Sequence, residues 1–333
     1  VAPLVVPPAP GDVEAAAAVL RNAERPLVIA GPETGGLPAG PIVALAGALG
    51  APLLADPLSG LRTGSHDLSR VCDSYDAMLR DVSAAVLAPD AVVRFGASPT
   101  SKPLNQFLAL LPRAPEVLAD FPGSWRDPFG RAPHRIEGDA ALAARALTAA
   151  LGDTPRASRW AGAWIAADRR AGEAMRRSAT AFAEAFEGRV FTELQEVLPE
   201  GATIVAGNSM PVRDLDSFIA ASPRRLELVS NRGANGIDGV VSTALGAAAA
   251  GRGPVVLVIG DISFYHDLNG LWAARRHRLD LTVVLVNNNG GGIFHYLPQS
   301  AHDAIFEEWF GTPSDLDFRP VVEMYGGRFT RAT

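Results

Sequence analysis

Val255-Val256-Leu257-Val258-Ile259-Gly260-Asp261 is the stretch on which the fold turns. Its unbroken aliphatic run has no polar alternation, which suits a strand covered on both faces and so a parallel sheet under helices. The run ends in Gly-Asp, placing an acid at the carboxyl end of a buried strand. Ile262-Ser263-Phe264 follows, with a helix expected from near His266. A second run, residues 281–286, ends in Asn287-Asn288-Asn289-Gly290-Gly291-Gly292. Ligands of open α/β sheets gather outside the carboxyl ends of strands, so Asp261 and the Asn/Gly loop are expected to converge on one ligand. A carboxylate, an amide oxygen and a loop carbonyl supply half of an octahedron around Mg²⁺, and phosphate oxygens and water supply the rest. Glycines let the backbone approach a diphosphate, whose charge is favoured at the start of the helix after Asp261. These residues point to a Mg²⁺-diphosphate site. A capping Asp and an Asn-Gly turn would each explain one half, but explain the pairing poorly.

Outward from this centre, further strands are expected at 203–206 and 226–229, with helices between them, in a domain that begins near Gly188. Towards the N-terminus the pattern again alternates helices and short apolar strands. Asp12 is expected to cap a helix through 20. Strands are expected at 26–30, 52–54 and 91–95, and helices at 42–49, 75–80, 102–111 and 139–150. The Gly31 to Gly36 turn lacks the GxGxxG spacing of a dinucleotide loop. Residues 157–186 read as a long alanine-rich, charged helix serving as a spacer. The fold class is therefore α/β, with two Rossmann-like parallel-sheet domains. The expected boundaries are a linker remnant at 1–11, a central domain at 12–155, a linker helix at 156–187 and a ligand-binding domain at 188–333.

The 333 residues suit two domains, and 48% hydrophobic with 20% charged residues at net charge −6 is the balance of a globular enzyme. No basic block suggests a nucleic-acid partner. The most apolar stretches, 240–250 and 255–259, are broken well before a membrane-spanning length. Cys72 stands alone, which excludes an internal disulfide framework and makes a reducing cytoplasm the expected compartment. The proline-rich start at Val1-Ala2-Pro3 reads as an interdomain linker cut open. Thr333 follows soon after an expected helix at 321–325, so both ends read as those of a fragment.

Gly260-Asp261 and an asparagine pair whose second member stands 27 positions on (288 − 261) resemble the signature of thiamine-diphosphate-dependent enzymes. Three further segments are similar to the menaquinone-pathway carboligases of that family. They are Gly207-Asn208-Ser209-Met210-Pro211-Val212-Arg213-Asp214, Asn231-Arg232-Gly233-Ala234-Asn235-Gly236-Ile237-Asp238-Gly239 and residues 287–294. Asp56-Pro57-Leu58-Ser59-Gly60-Leu61-Arg62 and Ser101-Lys102 extend the likeness into the first domain.

The resemblance implies a three-domain enzyme. This chain would carry the central domain and most of the thiamine-diphosphate-binding domain, without the N-terminal pyrimidine domain, its activating glutamate and the last helices. It also implies thiamine diphosphate and Mg²⁺, or Mn²⁺ in its place, as cofactors, with Asp261, Asn288 and the Gly290 carbonyl on the metal. Asn208, Ile237, Gly260, Ile262 and Ser263 would surround the cofactor, Ile237 supporting its bent form. The implied reaction decarboxylates 2-oxoglutarate and joins the succinyl semialdehyde unit to isochorismate. Ser209, Arg213 and Arg232 would hold the donor's far carboxylate, the two arginines by paired hydrogen bonds. Ser209 and Arg213, four apart, would share a helix face. Lys102 would face isochorismate, with Pro103 where some relatives have arginine, and Ile293, Phe294 and Leu297 would form the apolar wall. His266, His295, Asp214 and Asp238 are assigned local structural roles. The complete enzyme would be a homodimer or homotetramer, while the chain alone would be inactive and poorly soluble. Two alternatives remain open: another thiamine-diphosphate decarboxylase or acetolactate-type synthase, and a catalytically silent module that keeps the half-site.

Overall fold

In the computed structural model, which describes residues 5–81, 86–111 and 114–332, strands form two all-parallel sheets. Val1 to Leu4 of the expected linker remnant and the final Thr333 lie outside the described residues. The chain divides into two units, Val1–Ala181 with Asp216–Arg225, and Phe182–Leu215 with Leu226–Thr333.

The first unit holds strands β1 (Pro26–Ala30), β2 (Leu53–Ala55), β3 (Val71–Cys72), β4 (Ala91–Phe95), β5 (Glu116–Asp120) and β6 (His134–Glu137) in the order β3-β2-β1-β4-β5-β6. This is the doubly wound order in which the connections reverse between β1 and β4. Helices α1 (Pro10–Arg21), α2 (Ala39–Leu49) and α5 (Ala140–Leu151) bury Ala16, Leu20, Leu45 and Leu147 on one face. Helices α3 (Tyr75–Met78), α4 (Lys102–Ala109) and α6 (Arg159–Ala181) bury Tyr75, Leu104 and Trp164 on the other.

Two expectations are corrected here. Asp12 does not cap α1: Ala9 occupies that position and Pro10, with its preset φ, opens the helix, leaving Asp12 in the first turn. The reading of 157–186 as a solvated spacer also fails. The helix is shorter, and Trp164 is fully buried with its indole N–H donated to the Leu87 carbonyl at 3.2 Å. Strands β3, β5 and β6 were not anticipated. Gly31 and Gly96 owe their identity to packing: a Cβ on Gly31 would meet the Ala97 carbonyl oxygen at 1.8 Å.

The second unit holds α7 (Arg189–Val197), β7 (Thr203–Ala206), α8 (Met210–Phe218), β8 (Glu227–Val229), α9 (Val240–Ala249), β9 (Val255–Gly260), α10 (Asp261–Asp267), α11 (Leu271–His277), β10 (Thr282–Val286), α12 (Asp303–Phe306) and α13 (Arg319–Met324). Its sheet runs β10-β9-β7-β8, with β9 buried and β10 half-exposed at the edge. Register sets the function of this sheet. Val286 pairs with Gly260 and Ala206 with Val258, so β7, β9 and β10 end together at one edge. The helix expected from near His266 starts at Asp261 itself, because Gly260 takes the extended N-cap conformation and the turn closes at once. Among the described residues, no helix is long and apolar enough to cross a membrane.

Candidate active site

The three in-register strand ends deliver Asn208 and Ser209 after β7, Asp261 after β9, and Asn288 after β10 to the same place. They line a cavity of about 320 Å³ in the second unit. Asn208, Ser209, Arg213, Arg232 and Ile237 form part of its wall, and Gly260, Asp261, Ile262 and Ser263 another. Asn288, Gly290, Ile293, Phe294 and Leu297 complete the set. Of the site residues read from the sequence only Lys102 is elsewhere. It opens α4 in the first unit, exposed, after the N-cap Ser101, whose Oγ accepts from the Leu104 amide at 3.2 Å.

Asp261 is buried, and burial pushes its carboxyl group above the usual carboxylate range against the pull of backbone amides from Ile262, Gly290 and Asn289. Those contacts tie the acid to the loop after β10. Its Oδ2 is buried without a hydrogen-bond partner. A buried orphan carboxylate oxygen is costly unless something positive or donating meets it. Among the described residues, no group of three or more His, Cys, Asp or Glu side chains could hold a metal ion. Asp261, Asn288 and Gly290 all line this cavity.

The glycines of the 290–292 loop answer first to a protein neighbour. Gly290 has φ +143°, and a Cβ there would meet the Gly311 carbonyl oxygen at 2.1 Å. At Gly291 the Phe310 carbonyl oxygen would lie at 2.2 Å, while the Gly291 amide donates to the Gly311 carbonyl at 2.7 Å. The segment Glu307–Gly311 therefore backs the loop, and the T-shaped Phe294–Phe310 pair at 5.6 Å holds the aromatic wall in place.

Asn208 is buried and organises the opposite wall. Its amide nitrogen donates to the carbonyls of Asn231, at 2.7 Å, and Gly236, while its Oδ1 accepts from Arg232 at 3.0 Å. One side chain thus holds the loop that bears both Arg232 and Ile237. The Ser263 hydroxyl donates to the Ile237 carbonyl at 3.2 Å, joining that loop to the first turn of α10. Ser209 and Arg213 meet differently from the helical face anticipated. Ser209 has φ +72° and precedes α8, so its carbonyl, accepting from Arg213, is what the arginine reaches. Asp214 is buried, and burial followed by the nearby Glu187 raises its pKa to about 7 while Arg213 opposes. His266 lies 3.6 Å from Asp238, and His295 packs on Phe306 and approaches Glu307 at 3.8 Å. Neither histidine is among the cavity-lining residues.

Sequence reasoning missed Met210, Pro211 and Asn235, although all three sit inside segments it had singled out. It also missed Glu187, which no local pattern marks.

Residues 217–333 match the family described as "Thiamine pyrophosphate enzyme, C-terminal TPP binding domain". A 2-succinyl-5-enolpyruvyl-6-hydroxy-3-cyclohexene-1-carboxylate synthase of Geobacillus kaustophilus is 50% identical over 312 residues, 93% of this chain and 54% of that protein. Proteins of the same name are 51% identical in Geobacillus thermodenitrificans, over 86% of this chain and 49% of the relative, and 44% identical in Chloroflexus aurantiacus, over 93% and 53%. The chain spans about half the length of the curated relatives it matches.

Proposed function

We propose that the chain belongs to the thiamine-diphosphate-dependent synthase family of those relatives and provides the cofactor-binding part of a carboligase. In this reading the enzyme decarboxylates 2-oxoglutarate and joins the remaining four-carbon unit to isochorismate, a step towards menaquinone, in the cytoplasm and as a homodimer or homotetramer. In this reading the central domain would be 12–155 and the cofactor domain 188–333, except that Asp216–Arg225 group with the first unit. The observation that carries the proposal is the gathering of every site residue but Lys102 in one cavity at one sheet edge.

The donor set suits Mg²⁺, or Mn²⁺ in its place. One carboxylate with an orphaned buried oxygen, one amide and one carbonyl leave the remaining positions of an octahedron for phosphate oxygens and water. A cation there would let Asp261 stay ionised despite its burial. Thiamine diphosphate, when bound, supplies the electron sink for decarboxylation and carbon–carbon bond formation. The protein's part is placement and charge. Asp261, Asn288 and the Gly290 carbonyl would hold the cation. Gly260, Ile262, Ser263 and Asn208 would shape the diphosphate end, and Ile237 would support the bent cofactor. Arg213 and Arg232 are the cations that would meet the donor's far carboxylate, beside Ser209. Ile293, Phe294 and Leu297 would keep water from the reacting carbon. Lys102 would face the acceptor.

Thermal melting tests this reading. Thiamine diphosphate with Mg²⁺ should raise the melting temperature, adding about 2.7 kcal/mol when the ligand stands at 100 times its Kd. Neither component alone should suffice, and Asp261→Ala should abolish the effect. A shift that survives in Asp261→Ala, or none in the folded wild type, would sink the proposal. With a relative's pyrimidine domain supplied in trans, consumption of 2-oxoglutarate and isochorismate is expected. Preference for pyruvate would favour an acetolactate-type synthase, and cofactor binding without turnover would favour a silent module.

A further inference from the structure

Glu187 lines the cavity although it lies 101 positions from Asn288 in sequence, and its Oε1 accepts a hydrogen bond from the Asn288 Nδ2 at 3.1 Å. We infer that Glu187 is a positioning residue that fixes which end of the Asn288 amide is turned towards a cation. The inference rests on the proposed function and adds to the metal-holding set a residue outside it.

The reasoning starts from the two ends of an amide. Asn288 has an oxygen that only accepts and a nitrogen that only donates, of nearly equal size. A cation bound beside Asp261 needs the oxygen, and the NH₂ group in its place would be repelled. A carboxylate selects between the two ends, because it offers acceptors alone. With Nδ2 committed to Glu187, Oδ1 is the end left for a ligand. Local packing does not make this choice, since Asn288 is exposed and its loop continues into three glycines.

The neighbouring asparagines are already engaged. Asn289 donates through Nδ2 to Asp315 at 2.9 Å and accepts through Oδ1 from the Ser314 and Asp315 amides. Asn287 accepts from the Asn289 amide at 3.0 Å. Both therefore shape the loop, and Asn288 is the one that reaches Glu187. Gly292 leaves the room this requires, because a Cβ there would lie 2.4 Å from the Asn288 Nδ2.

The test titrates Mg²⁺ into the chain at saturating thiamine diphosphate and reads the Mg²⁺ concentration that gives half of the melting-temperature rise. Glu187→Ala should raise that concentration roughly 10- to 100-fold, the usual cost of losing a partner that orients a metal ligand. Glu187→Gln keeps an acceptor oxygen and should stay within about threefold of wild type, well below that range. Glu187→Ser replaces the alanine variant if the latter folds poorly, and should behave as alanine is expected to. An unchanged midpoint in Glu187→Ala overturns the assignment. So does Glu187→Gln binding as weakly as Glu187→Ala, which would mean that charge or direct ligation matters instead. A wild type with no Mg²⁺-dependent rise overturns the functional reading itself, and the role of Glu187 with it.

Discussion

Asp214 shows how one buried group should set part of the pH response. Burial and the nearby Glu187 raise its pKa from 3.8 to about 7. The native state therefore binds this proton more tightly than the unfolded chain does. Its contribution to stability is full below the unfolded pKa and is lost as pH rises from about 4 to about 7, by up to about 4 kcal/mol at 1.36 kcal/mol per pKa unit. Asp214→Asn should flatten the stability–pH curve in that window and leave a more stable protein above it, as urea titrations at pH 5 and 8 would reveal. A wild-type-like curve in the variant would show that Asp214 keeps an ordinary pKa. Asp168, which caps the turn before α3 through the Asp73 and Ser74 amides, is likewise pushed up to about 7 by burial and then by Asp73, so the variant removes only one share of the slope. At this scale much of the site was legible. Asp261 and Asn288 were legible as cavity residues with oxygen donors at strand ends, whereas Glu187 was not. Its role depends on a contact 101 positions away, with no spacing rule to reveal it.

Elements differ in how openly their residues declare them. β7, β9 and β10 are aliphatic runs, and a buried parallel strand needs nothing else to be recognised. β5 hides because Glu116 and Asp120 interrupt its pattern. Both are buried, and Glu116 is made tolerable by Arg94 of β4, whose Nε donates to it at 2.7 Å. The charge on one strand makes sense only beside the charge on its neighbour. β6, with His134, Arg135 and Glu137 in four residues, is an edge strand whose polarity masks it. The glycine loop after β10 has a similar history. A diphosphate was expected to explain Gly290 and Gly291, but the backbone of Phe310 and Gly311 already requires them. Gly291→Ala should therefore displace the loop, lower the melting temperature and abolish stabilisation by thiamine diphosphate with Mg²⁺. Gly246→Ala, in α9 with open space around it, is the control and should stabilise by about 0.5–1 kcal/mol. A tolerated alanine at 291 would refute the backing role of the Glu307–Gly311 segment.

For the whole molecule, the chain does not lay out its two units one after the other. Residues Asp216–Arg225 return to the first unit, where Arg62, fully buried, pairs with Asp216 at 2.8 Å and donates to the Ala55 carbonyl. The Tyr75 hydroxyl donates to the same carboxylate at 3.2 Å, and the Gly64 amide to the Ser222 carbonyl at 2.9 Å. Arg62→Ala leaves Asp216 buried and unpaired, so a loss of about 3–5 kcal/mol is expected in chemical denaturation. A loss under about 1 kcal/mol would mean that water reaches the carboxylate. Hydrogen exchange with thiamine diphosphate and Mg²⁺ should slow at 207–213, 231–237, 260–263 and 287–297. Protection confined to the first unit's helices would contradict the site. The sequence by itself determined the α/β class, the strands of the second sheet and the acid-and-amide chemistry at their ends. Each of these is written in local periodicity and residue type. Only the tertiary structure decided the interleaving of the units, the ion pairs that let charges enter strands, and the approach of Glu187 to Asn288. These join positions from 22 to 154 residues apart, where chain connectivity imposes no geometry and packing alone supplies it.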